Sequence, residues 1–266
     1  MNEISLGKPT DYPKSYNPNL LTSINRFNTR KQTGLDGTLT NMHGIDAWTS
    51  YELSWLDSNS IPKNEILYLT YDSSSKRFIE SKSLKLYLNS LNNCKFKNKE
   101  DLLKTLQEDI SRCVQGNVSI EILPNPKLIQ ESGICIDDLV VQSISKEVNS
   151  LVLQTNKIIL EENLSSRLFR SLCPVTSQPD WATITIYYKG PQIVHEKLLS
   201  YLLSYRNHQG FHEDCVERIF SDILKRCFPE YLTVRANFLR RGGIEINPIR
   251  STSEEFEKET FRSNRQ

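Results

Sequence analysis

Two stretches of this chain repeat one another about 114 residues apart, and the repeat restricts the possible fold more than any other feature. Leu84, Tyr87, Leu88 and Ser90 recur as Leu198, Tyr201, Leu202 and Ser204, each 114 positions later. Glu100, Asp101, Asp109 and Ile110 recur as Glu213, Asp214, Asp222 and Ile223 at a spacing of 113. Between them Leu102, Leu103 and Leu106 match Cys215, Val216 and Ile219. These apolar positions fall at helical spacing, so each copy reads as amphipathic helices. Strand-like runs flank them: Ile66 to Tyr71 corresponds to Trp181 to Tyr188, and Val118 to Leu123 to Leu232 to Phe238. Both runs are rich in β-branched and aromatic residues. Further strands are expected at 44–57, 137–144, 158–169 and 243–249. Each half then reads ββααββ, an antiparallel sheet with two helices on one face, which is an α+β layer. The expected modules are 1–148 and 149–266, with a polar, mobile tail from about 251.

Composition narrows the class. The chain has 266 residues, 38% of them hydrophobic, and 33 Lys and Arg against 32 Asp and Glu, for a net charge of +1. That balance gives no global field to draw in nucleic acid or an anionic membrane. No apolar run approaches the roughly 18 residues of a membrane span. Met1 to Leu20 is polar and holds Pro9, Pro13 and Pro18, so it does not read as a secretory signal, and a cytoplasmic location is expected. The six cysteines are irregularly spaced with no C-x-x-C pair, which reads as free thiols in a reducing compartment. Four histidines without metal-ligand spacing predict no metal site. The ten glycines form neither G-x-G-x-x-G nor a phosphate loop, so a nucleotide would not sit in a Rossmann turn.

Four segments can carry chemistry. In Cys173-Pro174-Val175-Thr176-Ser177-Gln178-Pro179-Asp180 two prolines stiffen a non-helical stretch between a thiol and a carboxyl. A thiolate can act as nucleophile and the acid can deliver a proton; a packed structural cysteine and a turn aspartate are the alternative. Gly210-Phe211-His212-Glu213-Asp214 opens a helix, where His212 could shuttle protons and Glu213 could grip the amide edge of a guanine or pterin ring. Ordinary acidic placement at a helix N-terminus is the alternative. In Phe78 to Tyr87 a strand-like run passes into a helix, and Ser81, Lys82, Ser83 and their amides could cradle a phosphate or simply cap the helix. Arg240-Arg241-Gly242-Gly243 could bring backbone and guanidinium to a phosphate, or form a plain β-turn. The repeat is imperfect here: His212 stands against Lys99, and Cys173 has no thiol counterpart. One composite site using both halves is therefore expected.

Together these segments resemble the NADPH-dependent 7-cyano-7-deazaguanine reductases, in their long two-module subgroup. The resemblance runs through Leu6-Gly7-Lys8-Pro9-Thr10, Tyr16-x-Pro18-x-Leu20-Leu21, Gly44-x-Asp46-x-Trp48 with Tyr51 to Leu56, the signature Glu80-Ser81-Lys82-Ser83-Leu84-Lys85-Leu86-Tyr87, Cys173 to Asp180, and Phe211-His212-Glu213. Glu245 stands where the family often has Asp. The resemblance implies a tunnelling fold built by association of such modules, a homodimer, and reduction of a nitrile to an amine in queuosine biosynthesis. It implies Cys173 as nucleophile forming a covalent thioimide, Asp180 as proton donor and His212 as proton shuttle. It further implies Ile79, Glu80, Ser81, His212 and Glu213 as substrate contacts. Ser81, Lys82, Arg241 and Gly242 would contact NADPH, two per turnover, with no metal.

Other classes remain open on the residues alone. A related purine or pterin enzyme such as a GTP cyclohydrolase needs clustered zinc ligands. A thiol hydrolase using Cys173 and His212 needs no glycine-arginine turn. A non-catalytic purine-binding or tRNA-binding module needs neither Cys173 nor Asp180.

Overall fold

The computed structural model describes residues 13–35, 39, 41–124, 133–258, 262–263 and 265–266. The Leu6 to Thr10 segment lies outside the described residues. The chain forms two compact units that exchange short segments: one takes 1–29, 46–126 and 240–246, the other 30–45, 127–239 and 247–266.

In chain order the elements are β1 (Ser23–Asn25), α1 (Arg26–Gln32), β2 (His43–Leu56), β3 (Pro62–Asp72), β4 (Arg77–Ile79), α2 (Ser81–Ser90), α3 (Lys99–Val114) and β5 (Val118–Leu123). They continue with β6 (Ile134–Cys135), β7 (Thr155–Leu172), β8 (Pro179–Ile193), α4 (His195–Leu203), α5 (His212–Cys227), β9 (Tyr231–Phe238) and β10 (Ile244–Ser251). This is the expected α+β layering.

In the first unit β5, β3 and β2 are neighbours in that order, with β3 and β5 antiparallel from Ile66↔Leu123 to Tyr71↔Val118. Leu67, Leu69 and Tyr71 alternate onto the buried face of β3. Leu102, Leu106, Ile110 and Val114 of α3 recur every fourth residue, and all are fully buried. A short ribbon, β1 against β4, brings Ser23 opposite Ile79.

In the second unit the order is β10-β9-β8-β7-β6, antiparallel except for the short β6–β7 pairing. Ala182, Ile184, Ile186 and Tyr188 of β8 pack with Leu232, Val234 and Ala236 of β9 against Leu198, Leu202, Val216, Ile219 and Phe220 of α4 and α5. Large apolar side chains thus fill one face of the sheet.

The duplication extends to hydrogen bonds. The Tyr87 hydroxyl donates to Asp109 at 2.7 Å, and the Tyr201 hydroxyl donates to Asp222 at 2.7 Å. Each pair clips the first helix of its unit to the second. Ser90 and Ser204 each donate back to the preceding tyrosine carbonyl at 2.6 Å. Gln115 and Phe228, the residues that end α3 and α5, both take left-handed backbone conformations. In the buried pairs the hydroxyl, not the carboxyl, is the donor, and burial pushes both tyrosines far above their ordinary pKa.

Two expectations are corrected. No strand forms at 137–144, which is turn and coil. The Asp137 carboxylate accepts from Ser166 Oγ and from the Arg167 backbone N–H, bending the chain, while Ile136 and Leu139 pack in the core of the second unit. The tail from 252 is also anchored in its described part. Gln266 is buried, donates to the Phe238 carbonyl and Asn247, and accepts from Asn237.

Buried ion pairs hold α5 in place. Glu217, on its second turn, accepts from Arg30 at 2.8 Å through both carboxylate oxygens and from Arg250 at 3.1 and 2.9 Å. The Arg250 and Glu217 side chains are 0% and 1% exposed.

Candidate functional site

Cys173 sits at the mouth of the β7–β8 hairpin. Leu172 pairs with Pro179 and Ser171 with Asp180, so the six residues 173–178 form the connecting loop. The loop is closed by its own backbone: Cys173 N–H donates to Gln178 O at 2.9 Å, and Ser177 N–H to Cys173 O at 2.9 Å. Ser177 takes a positive φ of 57° to complete the turn. A second strip of backbone braces it from the side. Leu172 N–H donates to His208 O at 2.8 Å, Gly210 N–H donates to Leu172 O at 3.0 Å, and Gln209 Nε2 donates to Ser177 Oγ at 2.8 Å. Pro174 and Pro179 add fixed φ angles to this frame.

Asp180 has the parity of Ala182 and Ile184 on β8, so it faces the helices and is buried. The first residue of α5 meets it there: His212 Nε2 lies 3.4 Å from Asp180 Oδ1. The His212 ring also stands edge-on to Phe238, with centroids 4.1 Å apart, which fixes the imidazole plane. Glu213 follows, 2% exposed. The cap position of α5 is Phe211, which forms no side-chain cap hydrogen bond, whereas Asn98 caps α3 by accepting from Asp101 N–H. The copy that carries His212 and Glu213 thus gives up a capping interaction that typically contributes about 1 kcal/mol.

The cysteines differ in burial. Cys215 and Cys227 are buried, and burial pushes the Cys215 thiol far up and that of Cys227 up to about 12. Cys113 is raised for the same reason. Cys173 is only partly buried. A cavity of about 330 Å³ lies beside the brace, lined by Leu172, His208, Gln209, Lys146 and Arg218. Burial and then the charge of Arg218 hold the His208 imidazole neutral, down to about 4.

The first unit gathers the other candidates. Glu80, 2% exposed, caps α2: its Oε1 accepts from Lys82 N–H at 2.9 Å and its Oε2 from Ser83 N–H at 2.8 Å. The amides expected to cradle a phosphate are therefore engaged by Glu80 itself. Burial pushes the Glu80 carboxyl up, opposed by those two N–H groups and the Lys82 charge. Ile79 is buried just before it, and Ser81 and Lys82 are half-buried. The glycine-arginine turn comes to the same place. Lys85 Nζ donates to Gly242 O at 2.7 Å and to Glu52 at 3.0 Å. Gly242 and Gly243 have φ of 56° and 77°, where any side chain is strained, and a Cβ on Gly243 would fall 2.6 Å from Glu52 Oε1. Arg240 stacks on Tyr51 at 4.7 Å. Lysine and arginine side chains around a glycine turn fit a polyphosphate dinucleotide. The link through Lys85 was not expected, although its place four residues after Ser81 puts it one helical turn away.

The predicted residues thus fall into two sets. Cys173, Asp180, His212 and Glu213 lie together in the second unit, and Ile79, Glu80, Ser81, Lys82, Arg241 and Gly242 in the first. Among the described residues no three His, Cys, Asp or Glu side chains converge as a metal site, and no helix is long and apolar enough to cross a membrane.

Comparison with known proteins gives consistent matches. Residues 12–122 match the family model "Nitrile reductase, 7-cyano-7-deazaguanine-reductase N-term", and residues 179–257 match "QueF-like protein". An NADPH-dependent 7-cyano-7-deazaguanine reductase of Legionella pneumophila strain Lens is 44% identical over 94% of this chain and 90% of its own. The protein of that name from strain Paris is 43% identical over the same shares. A solved archaeosine synthase QueF-Like chain in the apo form is 17% identical, covering 39% of this chain and 100% of its own, with a TM-score of 0.32.

Proposed function

Since the chain belongs to the NADPH-dependent 7-cyano-7-deazaguanine reductase family, we propose that it reduces the nitrile of 7-cyano-7-deazaguanine to the aminomethyl group through a covalent thioimide on Cys173. The observation that carries this reading is the hairpin mouth: a partly exposed thiol on a braced loop, on the same hairpin as a buried carboxyl 3.4 Å from an oriented histidine.

The Cys173 thiolate forms a bond to the nitrile carbon, and a nitrile π pair moves to nitrogen, which takes a proton from Asp180. His212 Nε2 is placed to return a proton to Asp180. When bound, NADPH supplies one hydride, and two are needed for each amine. The thioimide carbon accepts the first; the C–S bond then breaks, its electron pair returning to sulfur and leaving an imine. The imine carbon accepts the second hydride and its nitrogen a proton. Two NADPH and two protons are consumed and two NADP⁺ formed, with no metal.

Glu213 and the Ile79-Glu80-Ser81 stretch hold the deazaguanine, while Lys82 and the Arg241-Gly242 turn hold the dinucleotide. The expected modules are 1–148 and 149–266, and the protein works as a homodimer in the cytoplasm. Its substrate is the free base rather than tRNA, in keeping with a net charge of +1. The test mixes protein, nitrile and NADPH and follows nicotinamide absorbance against amine formed. Two NADPH per amine supports the reading; one or none overturns it.

A further inference from the structure

Trp181 follows Asp180 on β8, and two guanidinium groups lie over its ring. The central carbon of Arg170 is 5.8 Å from the ring centroid and that of Arg206 is 5.6 Å. Arg170 is the cross-strand partner of Trp181 on β7, three residues before Cys173. Arg206 belongs to the 3₁₀ turn Ser204–Asn207, which leads into the strip that braces the Cys173 loop. An aromatic face can hold each cation, but two like charges beside one ring repel unless a counter-ion lies near.

Other arginines of this unit have such a counter-ion: Arg167 sits on Asp137, Arg218 on Asp222 and Arg250 on Glu217. Arg170 and Arg206 have no carboxylate partner among the described residues. The Arg170 Nε is moreover buried and without an acceptor. A buried donor in that state costs roughly 1–3 kcal/mol, and such groups in native proteins call for an explanation. A phosphate supplies both what the orphan donor lacks and what the charge pair lacks, and its oxygens match the guanidinium fork.

We propose that Arg170 and Arg206, arranged around Trp181, form a phosphate-binding site for the dinucleotide co-substrate beside the catalytic hairpin. This rests on the reading that NADPH is the hydride donor. The dinucleotide has two sources of that chemistry: the 2′-phosphate peculiar to NADPH and the pyrophosphate it shares with NADH.

Full-length Arg170→Gln, Arg206→Gln and the double variant are compared with wild type by calorimetric titration with NADP⁺ and NAD⁺, after circular dichroism has established the fold. Loss of a charged hydrogen-bond donor raises the NADP⁺ dissociation constant about 10- to 100-fold per arginine. Loss confined to NADP⁺ assigns the 2′-phosphate, and equal loss for both nucleotides assigns the pyrophosphate. Unchanged affinity for both in the double variant overturns the proposal. Arg206 is exposed, so its variant carries the test should the Arg170 variant fail to fold. A wild type that binds NADP⁺ through these arginines yet leaves the nitrile unreduced would sink the proposed function and keep this site. A wild type that reduces it while both variants bind normally would do the reverse.

Discussion

Replacing Glu217 with glutamine keeps the shape of the side chain and removes its charge. In the native protein that carboxylate serves two guanidiniums at once, with contacts of 2.8 Å to Arg30 and 2.9 Å to Arg250. Arg250 is 0% exposed, and besides the carboxylate its guanidinium donates to the carbonyls of Ile45 and Ile249. The amide would still accept a hydrogen bond, but its NH₂ group would face a guanidinium N–H. Breaking a buried pair of this kind costs about 3–5 kcal/mol, mostly because a charge is left uncompensated. Against a typical total of about 5–15 kcal/mol the variant should remain folded but be much weakened. In urea, at about 2–3 kcal/mol/M, the midpoint should move down by roughly 1–2 M. Since the pair is shielded from solvent, added salt should not reproduce the loss in wild type. α5 also carries His212 and Glu213, so turnover should fall along with stability. A change below about 1 kcal/mol, or a wild-type stability that drops equally in high salt, would refute the view that this network is what seats α5.

Other outcomes follow from the same geometry. Asp180→Asn removes the proposed proton donor facing His212 while preserving volume; kcat should fall about 10²- to 10⁴-fold, measured by NADPH consumption, with wild-type rates contradicting the role. Gly243→Ala must place a Cβ at positive φ against Glu52; it should cost roughly 1–3 kcal/mol by thermal unfolding and raise the KM for NADPH. His208 is held neutral down to about 4, whereas an unfolded histidine takes a proton near 6.5. The unfolded chain therefore binds the extra proton as pH falls through that window, and stability declines from about 6.5 to about 4 by at most ~3 kcal/mol, less with partial exposure. Glu80 and Asp222, raised by burial, act in the opposite sense, so the His208→Gln difference isolates the effect; equal slopes in variant and wild type would contradict it.

The repeat was legible because the residues that clip each helix pair, Tyr87 with Asp109 and Tyr201 with Asp222, are fixed in identity by buried hydrogen bonds. Helix positions followed from apolar spacing for the same reason. The segment 137–144 reads as a strand because Leu139 and Val141 alternate like one, while Asp137 spends its hydrogen bonds on Ser166 and Arg167. The hairpin that presents Cys173 and Asp180 could be anticipated from its two prolines. The brace supplied by His208 to Gly210 could not, since it is made by backbone atoms. The resemblance makes Glu80 a ring contact, yet a carboxylate just before Ser-Lys-Ser is also a helix cap, and Glu80 caps α2. Long-range charge partners such as Arg30, Glu217 and Arg250 leave no local pattern.

The covalent bond proposed at Cys173 can be examined without any hydride. Intact-mass measurement of the protein incubated with 7-cyano-7-deazaguanine alone, followed by peptide mapping, should show one substrate mass added per chain, on the peptide holding Cys173, and none in Cys173→Ala. An unmodified wild type, or an adduct that persists in Cys173→Ala, would contradict the account.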